Sequence, residues 1–354
     1  PEATITSIEA WDVLGTTVPK VGGRAVVTGA ALYPSDIRLP GMLYGKVLRP
    51  TALDATLESI DLEPAQAMPR VTVVYDGNFV GCAAGNSWTA AKAVEAIAAT
   101  AKWSRSGQIS SDKLFEHLKQ TASTSGSGWN RPRVRTWGEV DAGLSSARAQ
   151  IDAAYTVAYI QHAPMEPRAA VAQWKDGKLT VWTGTQQPAR VRSELMSAFR
   201  VGEESVRVIV PDTGGGFGGK HTGEAALEAA RLAKAADRPV SLRWSREEAF
   251  TWAYCRPAGV IEVQAGLDDS QRITAWDFTN YNSGGSAIET PYDVPHGRTR
   301  YLAADSPLRQ GSYRALASTA NTFARESMMD ELATAAGVDP LEFRLAHLPE
   351  GRVR

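Results

Sequence analysis

The sequence predicts an α+β protein, and three stretches carry that reading. Residues 206–237 run from a short apolar strand, VRVIV, through PDTGGGFGGKHTG into EAALEAARLAKAAD. β-Branched residues there give way to glycines and then to helix formers. Asp176 and Gly177 separate VAQW from LTVW, the residue pair that a tight hairpin turn favours. Apolar and polar residues alternate in VIEVQAG and ITAWDFTNY, which read as a second hairpin within 259–283.

At 354 residues the chain is long enough for two or three domains around a sizeable core. Its 38 basic and 39 acidic residues nearly cancel, so nothing in the charge asks for nucleic acid or an anionic membrane surface. No run of eighteen apolar residues and no leader pattern is visible, and the chain begins at Pro1, which points to processing or trimming. The two cysteines, Cys82 and Cys255, lie far apart and outside any CxxC pair. They supply too few thiolates for an iron–sulfur cluster or a structural zinc site, so any such redox centre belongs to another subunit.

In chain order, residues 1–20 read as an extended arm. Residues 21–105 read as a small α+β domain with strands at 24–27, 42–48 and 71–75 and a helix at 89–101 capped by Ser87. Residues 106–150 read as a linker, because 121–138, TASTSGSGWNRPRVRTWG, is rich in Ser, Thr and Gly and then basic. Residues 151–354 form a second mixed region. In it Gln186 ends a strand before a helix at 189–199, and 240–244 is a strand followed by a Ser245/Glu248 capping box. A helix after Arg314 buries Phe323, Met329 and Leu332, and Asp339, Pro340 and Glu342 open a last helix.

The loop at 211–223 joins a strand to a helix, a junction whose unpaired N–H groups suit an anionic or oxo-bearing ligand. Gly214 to Lys220 fits GxxxxGK, but His221 stands where a phosphate loop needs Ser or Thr. Gly214, Gly216 and Gly219 fit GxGxxG, yet the acid a dinucleotide fold needs is absent, Asp237 lying at the helix end. A ligand-free glycine turn is the third reading. His162 and Glu166 have too few donors nearby in sequence for a metal site and read as core or interface residues.

TGTQQP, GGGFGGK, RPVSLRWSREEAF, QGSYRALA and MMDELA, in that order, resemble the molybdopterin-binding large subunit of the xanthine oxidase/aldehyde oxidase family of molybdenum hydroxylases, with bacterial aldehyde and isoquinoline oxidoreductases nearest in character. GRAVVTGAALYPSDIRLPGMLYGKVLRP is similar to the α/β-hammerhead domain that opens those subunits. The resemblance implies a hammerhead-like domain followed by the first half of a mixed α/β molybdopterin-binding domain. It further implies a molybdopterin cofactor, the cytosine dinucleotide form included, with no direct protein ligand to molybdenum. Cofactor contacts then fall to Gln186, Gly215, Gly216, Phe217, Gly218, Gly219 and Arg314, with the amides of Phe217 and Gly218 facing an oxo ligand. Gln186, Arg314 and His221 are the candidate catalytic residues, and Glu166 supports the pocket wall.

The same resemblance places the general-base glutamate on a second half that this chain lacks, so a second polypeptide is expected to complete the site. The expected partners also include an iron–sulfur subunit and a flavin or cytochrome subunit, the small-molecule substrate being the remaining ligand. Residues 1–354 alone are expected neither to hold the cofactor nor to turn over. Purine-oxidising members carry glutamate where His221 stands, and an arginine that 271–293 lacks apart from Arg272. An aldehyde or an N-heteroaromatic ring is therefore the expected substrate, hydroxylated with oxygen from water. The alternative is a non-catalytic nucleotide-binding or assembly subunit of a redox complex, and the periplasm is favoured over the cytoplasm.

Overall fold

The fold is a computed structural model that describes residues 4–126, 128 and 131–351. In chain order it holds α1 (Gly23–Val27), β1 (Leu43–Val47), β2 (Thr56–Ser59), α2 (Glu63–Gln66), β3 (Thr72–Asp76), β4 (Phe79–Ala84), α3 (Ser87–Ala98) and β5 (Lys102–Ser104). Next come α4 (Leu114–Gln120), β6 (Arg133–Trp137), α5 (Val140–Ser145), β7 (Ala149–Val157), β8 (Ala169–Lys175), β9 (Lys178–Thr183), α6 (Pro188–Phe199) and β10 (Val206–Ile209). The chain closes with α7 (Glu224–Ala236), β11 (Val240–Arg243), α8 (Arg246–Trp252), β12 (Gly259–Leu267), β13 (Ile273–Tyr281), β14 (His296–Leu302), α9 (Ser318–Ala336) and α10 (Pro340–His347). Mixed α/β is thus the class, with two main sheets.

The larger sheet has seven strands in the order β10-β9-β8-β11-β1-β4-β3, parallel at β10/β9 and β11/β1 and antiparallel elsewhere. Strands from 21–105 and from 151–354 therefore share one hydrogen-bonded ladder, joined where Leu43 pairs with Val240. Helix α7 lies across this sheet, burying Ala225, Ala226, Ala229, Ala230, Leu232 and Ala233. Small side chains let the helix approach closely, and Leu232 fills the space that two strand glycines leave. A Cβ on Gly45 would stand 2.5 Å from Leu232 Cδ1, and one on Gly81 would stand 3.1 Å from its Cδ2. Helix α3 packs on β1 and β4, where Ala93 and Ile97 join Val80 and Cys82 in a second core. Arg49, just past β1, clamps the arrangement through Glu228 of α7 at 2.5 Å and Glu248 of α8 at 2.8 Å, with Trp244 beneath it at 4.6 Å.

The second sheet runs β6-β14-β13-β12-β7. Its apolar face, with Ile261, Val263, Phe278 and Tyr301, meets Met328, Met329 and Leu332 of α9. The Asp-Gly turn forms as expected, with Asp176 at φ 49° and Gly177 at φ 72°, so Lys175 faces Lys178. The Ser245/Glu248 capping box is present. Asp339 caps α10 by accepting from the N–H groups of Leu341 and Glu342.

Four local expectations are corrected. Residues 24–27 are helix α1 rather than a strand: Thr28 bonds Arg24 O through both its N–H and its hydroxyl, closing the segment on itself away from either sheet. Asn86 rather than Ser87 caps α3, its Oδ1 accepting from Thr89 N–H at 2.8 Å. Within 121–138, β6 pairs with β14 as an edge strand, so that part of the stretch is packed structure. Composition misleads there because an edge strand tolerates outward arginines. Phe323 is 49% exposed and packs edge-on against Tyr155 at 5.8 Å, on the rim of α9 rather than its buried face.

Leu232 is the most consequential single contact between α7 and the sheet. Leu232→Ala is expected to cost about 3 kcal/mol, since the glycines beneath cannot collapse into the cavity. Chemical denaturation of the assembled protein checks this, and a loss under about 1 kcal/mol would show that α7 settles onto the sheet without it.

Candidate functional site

Because β9 and β10 are parallel neighbours, their C-terminal ends open at the same edge of the sheet, where crevices form. Gln186 follows β9 and the glycine loop follows β10. The two stretches are stitched together: Gln186 N–H and Thr185 Oγ1 both donate to Lys220 O, at 2.8 and 3.0 Å. Gln186 Oε1 accepts from Gly218 N–H at 3.0 Å and from Lys220 N–H at 3.4 Å. Only the amide oxygen can accept there, so the side chain's NH2 group is left as the exposed donor.

The loop needs backbone that most residues resist. Gly215 and Gly218 have φ of 91° and 94°, and Phe217 between them sits at 54°. A Cβ on Gly218 would lie 2.7 Å from Ser312 O and 3.1 Å from Tyr313 Cα, so the chain at 312–314 crosses directly over the loop. Arg314 N–H then donates to Phe217 O at 3.0 Å, and the Arg314 guanidinium stands 4.7 Å from the centre of the Phe217 ring. Both side chains face outward. Gln186, the glycine loop and Arg314 thus come together from three distant parts of the chain.

The underside of the loop is held by charge. Lys220, 1% exposed, places Nζ 2.6 Å from Glu166 Oε2, and the same oxygen accepts from Gly214 N–H at 3.0 Å. Burial lowers the Lys220 pKa from its ordinary value, opposed by the hydrogen bond and charge of Glu166. Arg168 donates to Gly219 O, and the Tyr254 hydroxyl donates to Gly218 O while accepting from His221 N–H at 3.2 Å. His162 bonds Ser312 O through Nε2 at 2.6 Å and packs against Tyr254 and Tyr313. Burial pushes His162 below its ordinary pKa. His221, partly exposed, is lowered by burial and by the charge of Arg190.

These contacts decide among the readings of the loop. Lys220 is committed to a buried carboxylate, which is not the arrangement of a phosphate-loop lysine. The strand after α7 is β11, separated from β10 by β9 and β8, so no dinucleotide-binding βαβ unit forms. One expectation is corrected: the Gly218 amide is spent on Gln186, so it does not face a ligand. The amides of Gly215, Gly216 and Phe217 have no protein acceptor among the described residues. Beside them stand the exposed Gln186 NH2 and Arg314, while the Glu166 carboxylate is bonded to buried Lys220. Such a set of donors fits electron-rich oxygen, an oxo or phosphate group. The described residues hold no cluster of three or more His, Cys, Asp or Glu that could hold a metal ion.

The sequence reading missed the Glu166–Lys220 pair and the roles of Arg168 and Tyr254. Each contact joins residues at least 36 positions apart, and the available signal was the unexplained lysine that closes GGFGGK.

Residues 127–348 match the family model described as molybdopterin cofactor-binding domain. A nicotinate dehydrogenase subunit of Pseudomonas putida is 29% identical, over 99% of this chain and 32% of that protein. The aldehyde oxidoreductase molybdenum-binding subunit PaoC of Escherichia coli is 29% identical, over 96% of this chain and 50% of that protein. Quinoline 2-oxidoreductase from Pseudomonas putida 86 superposes with a TM-score of 0.82 at 25% identity, covering 94% of this chain and 50% of that chain. The chain spans a third to a half of the length of these proteins. The nicotinate dehydrogenase large molybdopterin subunit of Eubacterium barkeri, 26% identical over 95% of this chain, is instead covered over 89% of its length.

Lys220→Met strands the Glu166 carboxylate in the interior and is expected to cost about 3–5 kcal/mol, whereas Lys220→Met combined with Glu166→Gln recovers most of that loss. Thermal unfolding of the single and double variants checks it. Equal losses in both would mean that packing rather than charge holds the underside of the loop.

Proposed function

The chain belongs to the molybdopterin cofactor-binding family, and from that premise we propose that it is one part of a molybdenum hydroxylase that oxidises an aldehyde or an N-heteroaromatic ring with oxygen drawn from water. The observation that carries this reading is the glycine loop itself, where tightly turned backbone lies beside the exposed Gln186 and Arg314 side chains. When bound, the molybdopterin cofactor supplies the redox centre that accepts two electrons from the substrate carbon. Preorganised donors are what such a centre asks of its protein, since they need no reorganisation as charge develops.

In this reading Gln186 holds an oxygen of the cofactor through its NH2, its own oxygen being locked by Gly218 and Lys220. The Gly215–Phe217 backbone lies against the cofactor, and the Phe217–Arg314 stack forms one wall of the substrate channel. His221 lines the approach. Glu166 acts at one remove by fixing Lys220 and Gly214. The substrate's C–H becomes C–OH with oxygen from water, releasing two protons and two electrons. A base outside this chain takes the proton of the attacking water while the second proton goes to solvent. Electrons leave to iron–sulfur centres on a partner subunit.

The relatives support the substrate class: their names speak of nicotinate, an aldehyde and quinoline. His221 in place of an acid supports the same class, because a neutral imidazole does not clamp a purine edge as a carboxylate does. A completing polypeptide is supported by the half-length coverage and by the half-length relative. It is also supported by the arm at 4–22, which exposes Ile5, Ile8, Val13, Leu14, Val18 and Val21, apolar surface of the kind a partner covers.

Molybdenum per complex and the fluorescence of the oxidised pterin, released from natively isolated complex, test the reading. Near one of each is expected. Gly216→Val, whose Cβ would run into Gln186 Oε1, is expected to lower the retained molybdenum at least about tenfold in an assembled complex. Intact complex without molybdenum would sink the proposal and favour a nucleotide-binding or assembly role.

A further inference from the structure

Against Gly219 of the glycine loop lies a small cavity bounded also by the 161–168 segment and α8. It offers about 10 Å³ to the centre of a water molecule, close to the room one water needs. Three residues lining it carry buried polar atoms without a protein hydrogen-bond partner: His162 Nδ1, Arg168 Nε and Arg246 Nη1. His162 and Arg168 are 8% and 7% exposed, so bulk water does not reach these groups freely. Leaving three such atoms unpaired is costly, which a native interior avoids.

The chemistry of the three atoms identifies what they hold. Ser312 O can only accept, so His162 Nε2 carries the ring proton and Nδ1 is a bare acceptor. Arg168 Nε and Arg246 Nη1 can only donate. One nitrogen of each arginine is already bonded to protein, Arg168 Nη2 to Gly219 O and Arg246 Nη2 to Pro164 O at 2.8 Å and Met165 O at 3.0 Å. Arg168 Nε also stands 3.4 Å from Glu224 Oε2, an ion pair without hydrogen-bond geometry. A group that accepts two hydrogen bonds and donates one is needed. An anion satisfies both arginines but cannot donate to Nδ1.

We infer that one water molecule is a built-in part of this site, accepting from Arg168 Nε and Arg246 Nη1 and donating to His162 Nδ1. It ties α8 to the segment that carries Glu166 and, through Arg168 and Gly219, to the glycine loop. It uses neither Gln186 nor Arg314, so the inference stands whatever ligand the loop takes.

A crystal structure of the native complex, at a resolution that resolves single waters, tests this directly. One fully occupied water peak within hydrogen-bond distance of all three atoms is expected, with no anomalous signal there after a bromide soak. Ala249→Val, which adds methyl groups at the cavity wall, is expected to abolish the peak. A native cavity without density, or one that takes up bromide, would overturn the inference, the latter by showing an anion beside a doubly protonated His162.

Discussion

A lysine that is 1% exposed and shares its charge with one carboxylate is the constraint on which this site rests. Glu166 accepts from Lys220 and from the Gly214 amide with the same oxygen, so both ends of the glycine loop are anchored to one atom. With its ends fixed, the loop must turn within six residues, which is why Gly215, Phe217 and Gly218 take left-handed backbone. A charge buried without its partner is costly, so the arrangement is held far more firmly than a surface loop of this composition.

The sheet supplies the second half of the geometry. Parallel β9 and β10 bring Gln186 and the loop to one edge, and α7 leaves that loop to lie across the same sheet. Leu232 on α7 reaches down to Gly45 and Gly81, so the strands of the N-terminal stretch form part of the platform beneath the loop's own helix. Arg49 repeats the connection in charge, from β1 to Glu228 and Glu248.

Local chemistry made most elements legible. The Asp-Gly turn, the Ser245/Glu248 box and the Ala-rich α7 are each specified by residues within a few positions of one another, and each formed as the sequence predicts. Gln186, Phe217 and Arg314 were singled out by ordered motifs rather than by periodicity, and they meet in space. What stayed hidden depends on distance along the chain. The Glu166–Lys220 pair spans 54 positions, and β6 earns its place only by pairing with β14. At 24–27 the two valines favour a strand, but no strand lies beside them, and a helical turn that satisfies its own carbonyls wins instead.

The pairing of β1 with β11 also orders events during biosynthesis. Leu43 finds its ladder partner only when Val240 has left the ribosome, after nearly two hundred further residues. At about 5–20 residues per second that interval is roughly 10–40 s, during which β1 presents an open edge and Gly45 has no leucine above it. The groove over Gly45 and Gly81 is filled once Leu232 of α7 emerges, and the open edge of β1 closes only with β11 behind it.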